Sequence, residues 1–188
     1  MLHRGAGHLF LRNDARNPVL CTRFRRVVAH GHRAGLETRS FMGFIAIRRD
    51  LPGTPDAVFD TLIRPSTWEH WFSLHRDFVV PPPDRLSVGS TIIADVLMLG
   101  MADRVEWTVE ALEPPRRVVL TGHGEAGIGC IFTYHLQPSS LGTTLTVDGL
   151  FTRAGMTRSL ADALRKHGRE HLDRTVSQLA AMASAPCE

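Results

Sequence analysis

From residue 157 to 183 the chain runs without a proline, and Leu160, Leu164, Gly168, Leu172, Val176, Leu179 and Ala183 recur at intervals of three and four. That spacing lays one apolar stripe along an α-helix. At 1.5 Å per residue such a helix is roughly 40 Å long. A rod with one greasy side needs a broad apolar surface to lie against, and the chain before it must supply one.

The preceding segment supplies strands. Residues 43–51 alternate through Phe44, Ile45 and Ile47 and stop at Pro52-Gly53. Thr54 is a good N-cap with Pro55 at the first helical position, and Val58, Phe59, Leu62 and Ile63 give two to three turns before Arg64-Pro65. A second short helix starts at Ser66 and runs through Trp68, Trp71 and Phe72. After Leu74 the period becomes two, with strands predicted at 76–80, 90–99, 104–112, 117–121, 128–137 and 143–151, punctuated by Pro81-Pro82-Pro83, Gly89, Gly100 and Pro114-Pro115. The order is β-α-α-β6-α. Because strand follows strand directly, the sheet is antiparallel and a doubly wound parallel sheet is excluded. The expected class is α+β, a curved seven-stranded antiparallel sheet wrapped around the C-terminal helix. A bent sheet cannot meet a straight rod along its whole length, so a cavity is expected between them.

Charge divides the chain unevenly. Residues 1–41 hold eight arginines against Asp14 and Glu37, a balance of +6, although the whole chain is only +3. The rest is therefore −3, and a nucleic-acid-binding domain would need its basic face on the folded body; no nucleic-acid partner is expected. Residues 1–41 show neither period and read as a basic, disordered extension, or as a stretch upstream of the true start, since Met42-Gly43 immediately precede the first strand pattern. A transit peptide or a polybasic arm contacting anionic membrane fits the same composition. The domain proper is expected at 42–188. No apolar run approaches the roughly 18 residues of a membrane span, so no integral membrane segment is expected. Cys21, Cys130 and Cys187 are odd in number and far apart, which fits a reducing, cytoplasmic setting better than a disulfide framework.

Two motifs imitate cofactor sites. Gly122-His123-Gly124-Glu125-Ala126-Gly127 matches GxGxxG after a strand, but the dinucleotide fingerprint needs a helix to begin inside it, and the alternation from Ile128 onward is that of another strand. It reads as a glycine-rich hairpin connection. His167-Gly168-Arg169-Glu170-His171 matches HxxEH and would put two imidazoles on one helical face, yet only 17 residues remain for a third metal ligand. Neither a cofactor nor a metal is expected.

The stretches Thr54-Pro55-Asp56-Ala57-Val58-Phe59, Trp68-Glu69-His70-Trp71 and Val88-Gly89-Ser90 resemble the START and polyketide-cyclase superfamily, SRPBCC. Residues 100–109, from Gly100-Met101-Ala102 to Trp107-Thr108-Val109, and 114–122, from Pro114-Pro115-Arg116-Arg117 to Gly122, are similar to an actinobacterial subgroup of it, one member of which is described as the toxin of a toxin-antitoxin pair. The resemblance runs from about Gly43 to Ala183. It implies a helix-grip fold enclosing an apolar tunnel; members include lipid carriers and aromatase/cyclases, so the motifs mark a fold and at most a ligand class.

The expected ligand is a small apolar or aromatic molecule, lipid or polyketide-like, held between helix and sheet by Trp71, Met98, Trp107, Phe132, Tyr134, Leu164, His167 and His171. Tyr134, Trp107 and the two histidines are polar residues on inward faces, and each serves either as an interior residue satisfied by its neighbours or as a ligand contact. Were there cyclase-like turnover, a histidine would be the natural base and Tyr134 would orient an enolate oxygen; the sequence leaves turnover open. The subgroup resemblance carries a different expectation, a toxin acting through an antitoxin-like protein partner.

Overall fold

The computed structural model describes residues 41–183. The basic segment 1–40 and the last five residues lie outside the described residues, and with them the expectations placed on the extension.

Seven strands form one antiparallel sheet: β1 (Gly43–Leu51), β2 (His75–Phe78), β3 (Thr91–Met98), β4 (Met101–Glu113), β5 (Arg117–Gly124), β6 (Gly129–Ser139) and β7 (Gly142–Thr152), in spatial order β1-β7-β6-β5-β4-β3-β2. Helices α1 (Pro55–Leu62) and α2 (Trp68–Trp71), joined by a 3-10 turn at Pro65–Thr67, carry the chain from one edge strand to the other. Helix α3 (Arg158–Ala183) closes the fold. The seven-stranded sheet and long final helix in β-α-α-β6-α order are the architecture expected from the sequence.

Local chemistry sets the boundaries. The Thr54 hydroxyl accepts the Ala57 N–H at 3.3 Å, capping α1 with Pro55 in its first turn. Thr157 does the same for α3, accepting from Leu160 N–H at 3.2 Å. Leu99 and Gly100, with φ of 53° and 76°, make the two-residue turn between β3 and β4; the paired positive values are the turn whose twist matches its strands.

The strands run longer than the alternation alone suggested. β4 begins at Met101, three residues early, because Met101 to Asp103 continue the ladder with β3. β5 continues through Gly122 and Gly124, which pair with Trp107 and Val105, so two glycines assigned to a turn are strand residues. A register shift between Val109 and Ala111 marks a bulge in β4, a device that bends and twists a strand.

One face of the sheet carries the core. Register aligns its side chains in rows: Ile92, Trp107, Gly122, Cys130 and Phe151 in one, Val109, Leu120, Phe132, Gly149 and Ile45 in the next, Val118, Tyr134, Val147 and Ile47 in a third. Glycine in these rows makes room for rings. A Cβ on Gly122 would stand 2.8 Å from the Trp107 ring and 2.7 Å from Cys130 Sγ, and one on Gly149 would stand 2.8 Å from the Phe132 ring. On α3, Gly168 does this for Phe151, whose ring lies 2.9 Å from the missing Cβ. Ala161, Leu164, Leu172, Val176 and Leu179 complete the buried stripe of α3, which passes over β1 and α2. Among the described residues no helix is long and apolar enough to cross a membrane.

Candidate functional site

The space between α3 and the sheet is lined with rings in continuous contact. Trp68 meets Phe72 edge-on at 5.6 Å, Phe72 meets Trp107 at 5.6 Å, Trp107 meets Phe132 at 6.1 Å, and Phe132 meets Phe151 at 5.9 Å. A branch runs from Trp68 to Trp71 and on to Tyr134, 6.4 Å away and nearly perpendicular. All but the tilted Trp107–Phe132 pair are edge contacts, which suit the quadrupoles of the rings. Trp71, Trp107, Phe132 and Tyr134, taken as ligand contacts from sequence, are thus brought together.

The other four candidates divide. Leu164 is fully buried on α3, and His171 is buried one turn beyond the half-buried His167, the two imidazoles 4.4 Å apart. Met98 is elsewhere. It continues the inner face of Ile92, Ala94 and Val96 but ends β3, about 20 Å along the strand from Ile92, which pairs with Trp107.

Polar satisfaction separates these residues further. Trp68 Nε1 donates to the Leu62 carbonyl at 3.2 Å and Trp71 Nε1 to the Thr67 hydroxyl at 3.0 Å. Trp107 Nε1 is buried with no partner among the described residues, and so is His167 Nε2. Burial is the main cause that pushes the Cys130 thiol up to about 12, helped by Asp103 and opposed by a backbone hydrogen bond from Gly122, and burial, helped by Cys130, pushes the Tyr134 phenol up as well. Both stay protonated at neutral pH.

His171 belongs to a knot that ties the chain after α2 to α3. Ser73 N–H donates to Thr175 Oγ1 at 3.1 Å, the Thr175 hydroxyl returns a bond to Ser73 Oγ at 3.1 Å, and Ser73 Oγ lies 2.9 Å from the His171 carbonyl and 3.0 Å from His171 Nδ1. The assignment that satisfies every contact has Ser73 donating to the carbonyl and Nδ1–H donating to Ser73. Burial is the main cause that lowers the His171 pKa, helped by His167, Arg174 and Arg76 and opposed by Glu170. Sequence reasoning missed Ser73 and Thr175. Thr175 sits four residues after His171 on the apolar stripe and was findable there; Ser73 lies between elements with no periodic signal.

The glycines of the GxGxxG motif serve a strand and its turn. Gly122 accommodates Trp107; a Cβ on Gly124 would fall 2.2 Å from an Asp103 carboxylate oxygen; Gly127, with φ of 78°, turns the chain. The Asp103 carboxylate accepts the Ala126 N–H at 3.1 Å, fastening the loop where a phosphate would sit in a nucleotide fold. No third His, Cys, Asp or Glu joins His167 and His171 among the described residues.

The cavity expected between helix and sheet is closed in this structure. Trp71 and Leu164 are 1% and 0% exposed, Trp107 and Tyr134 3% each, so no path from solvent reaches them. The rings themselves fill the gap. Two recesses open on the outside instead, one of about 580 Å³ beside α1 and Pro114-Pro115 and one of about 360 Å³ between His75 and Pro82-Pro83.

Comparison with known proteins places this arrangement. The model of the family described as polyketide cyclase / dehydrase and lipid transport matches residues 45–183. The chain belongs to that family. An uncharacterized Mycobacterium tuberculosis protein is 29% identical over 104 residues, covering 55% of this chain and 73% of its own. A Mycobacterium tuberculosis protein named as a toxin is 26% identical over 137 residues, covering 70% of this chain and 94% of its own. Among solved structures, a Chromobacterium violaceum protein shares the fold with a TM-score of 0.61 at 19% identity, over 77% of this chain and 99% of that one. Family membership explains the grip of sheet on helix; the unpartnered Trp107 and the Ser73 knot are read from this chain alone.

Proposed function

We propose that the protein binds a small apolar or aromatic molecule between α3 and the inner face of the sheet, against Trp71, Trp107, Phe132, Tyr134 and Leu164, with His167 and His171 at its α2 side. The observation that carries this is the Trp107 Nε1 donor, buried without a partner among the described residues, as are His75 Nδ1, Arg117 Nε and His167 Nε2, on a ring in contact with Phe72 and Phe132. An unmade hydrogen bond in an apolar interior costs about 1–3 kcal/mol, and a ring-lined wall that carries such a donor suits a small aromatic molecule. Membership of a family described by cyclase, dehydrase and lipid-transport roles supports the same class of ligand.

Because the interior is closed, a ligand enters by parting α2 from α3, and the Ser73–His171–Thr175 knot is the fastening it must loosen. Native mass spectrometry of protein purified gently from its source, together with thermal shift across a lipid and polyketide panel, tests this. A retained small molecule or a raised melting temperature is expected; an empty spectrum and no shift with any compound would refute it.

A second reading, that the protein arrests growth through a protein partner, is favoured by one observation, the similarity to the mycobacterial protein named as a toxin along nearly all of that protein's length. Inducing the gene in a host decides it. Arrest relieved by a small protein encoded beside it supports this reading, and normal growth at high expression removes it.

A further inference from the structure

The recess of about 360 Å³ on the outside of the molecule, between α2 and the edge strand β2, is bordered by His75. That imidazole is 8% exposed, and its Nδ1 is buried with no partner among the described residues. Phe78 tilts against it with ring centres 4.3 Å apart, and Trp68 backs both rings at 6.4 Å and 6.0 Å. Packing therefore fixes this wall, and Pro82 and Pro83 stiffen the other. We infer that the recess is a second binding site, which takes a small aromatic primary amine in its protonated form: the ammonium sits among Glu69, Asp77 and Asp84 and donates to His75, and the ring lies against Phe78 and the prolines.

The sign of the charge follows from the lining. Glu69 borders the recess from α2, Asp77 from β2 and Asp84 from the loop after the prolines, against one arginine, the exposed Arg76, which acts on His171 as well. Among the described residues Asp77 and Asp84 have no basic partner, and Glu69 has the exposed His70 at 3.4 Å. Burial, the largest influence on His75, lowers its pKa below the ordinary 6.5 against the pull of Asp77 and Glu69. At neutral pH the imidazole is therefore uncharged, and the negative field is left to another cation. A metal ion does not fit it, because no three His, Cys, Asp or Glu side chains come close enough to share one among the described residues. The carboxylates instead surround a space of small-molecule size. A primary ammonium brings three donors, and His75 Nδ1 accepts one when the ring carries its proton on Nε2; the face of Phe78 attracts the same charge. A quaternary ammonium satisfies the charge and leaves His75 unpartnered, and an anion meets three like charges.

Four probes of one shape test this on the 15N-labelled full-length protein at pH 7.5: benzylamine, benzyl alcohol, benzyltrimethylammonium and phenylacetate, each titrated while backbone amide resonances are followed. Benzylamine is expected to move the amides of residues 75–78 and to bind about tenfold tighter than the alcohol, the margin of a charge-assisted over a neutral hydrogen bond. Benzyltrimethylammonium binds more weakly than the amine, and phenylacetate leaves these amides where they are. Asp84→Asn removes an exposed charge and lowers the amine's affinity several-fold, whereas Asp162→Asn, which removes an exposed carboxylate on α3, does not change it. Equal affinity for amine and alcohol, the same loss in both variants, or no shift with benzylamine overturns the inference. Shifts confined to residues around Trp107 and Phe132 overturn it too, by placing the compounds in the helix–sheet interior, and that result supports the interior site proposed above. Benzyltrimethylammonium binding as tightly as benzylamine overturns the hydrogen bond assigned to His75.

Discussion

Gly122 shows how much of this interior depends on a side chain that is missing. Its partners across the ladder are Trp107 and Cys130, and a methyl group there would collide with both, at 2.8 Å and 2.7 Å. Neither has anywhere to go, since the indole is held by Phe72 and Phe132 and the thiol is buried beside Phe151. Gly122→Ala is therefore expected to destabilise the fold by about 1–3 kcal/mol, the usual cost of overfilling a packed core. Equilibrium unfolding in urea measures it. The double variant Gly122→Ala/Trp107→Leu should cost less than the two single changes added together, because the smaller side chain makes room; additive losses would show that the collision is relieved some other way. At this scale the sequence was readable for the large residues and misleading for the small ones. Trp107, Phe132 and Tyr134 announce an inner face by alternation alone, but glycines spaced as in a nucleotide-binding loop are, in three dimensions, the counterparts of an indole, a carboxylate and a turn. Spacing along the chain does not say what lies across a strand.

Among the elements, the contact between α2 and α3 is one whose strength depends on pH. His171 has a folded pKa below its ordinary 6.5, since burial and the nearby His167, Arg174 and Arg76 disfavour the cation more than Glu170 favours it. The unfolded chain therefore takes up the proton first as pH falls. Stability contributed by the neutral imidazole is intact above about pH 6.5 and declines from there toward the folded value. His75 and His135 are shifted the same way by burial, so a fall remains in any single variant, while Asp148, shifted upward, opposes it. His171→Gln should flatten the loss of unfolding free energy between pH 7 and 5 relative to the parent protein; an unchanged slope would mean that His171 does not titrate differently on folding. The elements themselves were largely legible. Strand β1 and both ends of α1 follow from alternation, a Thr-Pro start and an Arg-Pro stop, all local signals. The knot was not, because Ser73 contacts residues about a hundred positions away, and no short-range pattern encodes which helix turn will face a given loop.

For the whole molecule, the family fold and the closed interior impose opposite demands that a ligand must reconcile. A sheet gripping a helix leaves space only where side chains fail to fill it, and here Trp71, Trp107, Phe132, Phe151 and Leu164 fill it. The sequence conveyed the walls and the roof but not the closure, because a row of large inward residues is the same whether the rings line a hollow or occupy it. If binding takes place by displacing this packing, the free energy of opening is subtracted from the ligand's intrinsic affinity. Removing bulk from the roof should then weaken the protein and strengthen the complex together. Leu164→Ala deletes a side chain with no exposed surface and is expected to lower stability by about 2–5 kcal/mol, seen as a lower urea midpoint with an unchanged dependence on denaturant. The same variant should bind an aromatic compound of the thermal-shift panel several-fold tighter than the parent, because the vacated volume lies in the buried cluster that holds the rings. A loss of stability without any gain in affinity would place the ligand outside the helix–sheet interior, and the outer recess beside α1 would become the next surface to probe.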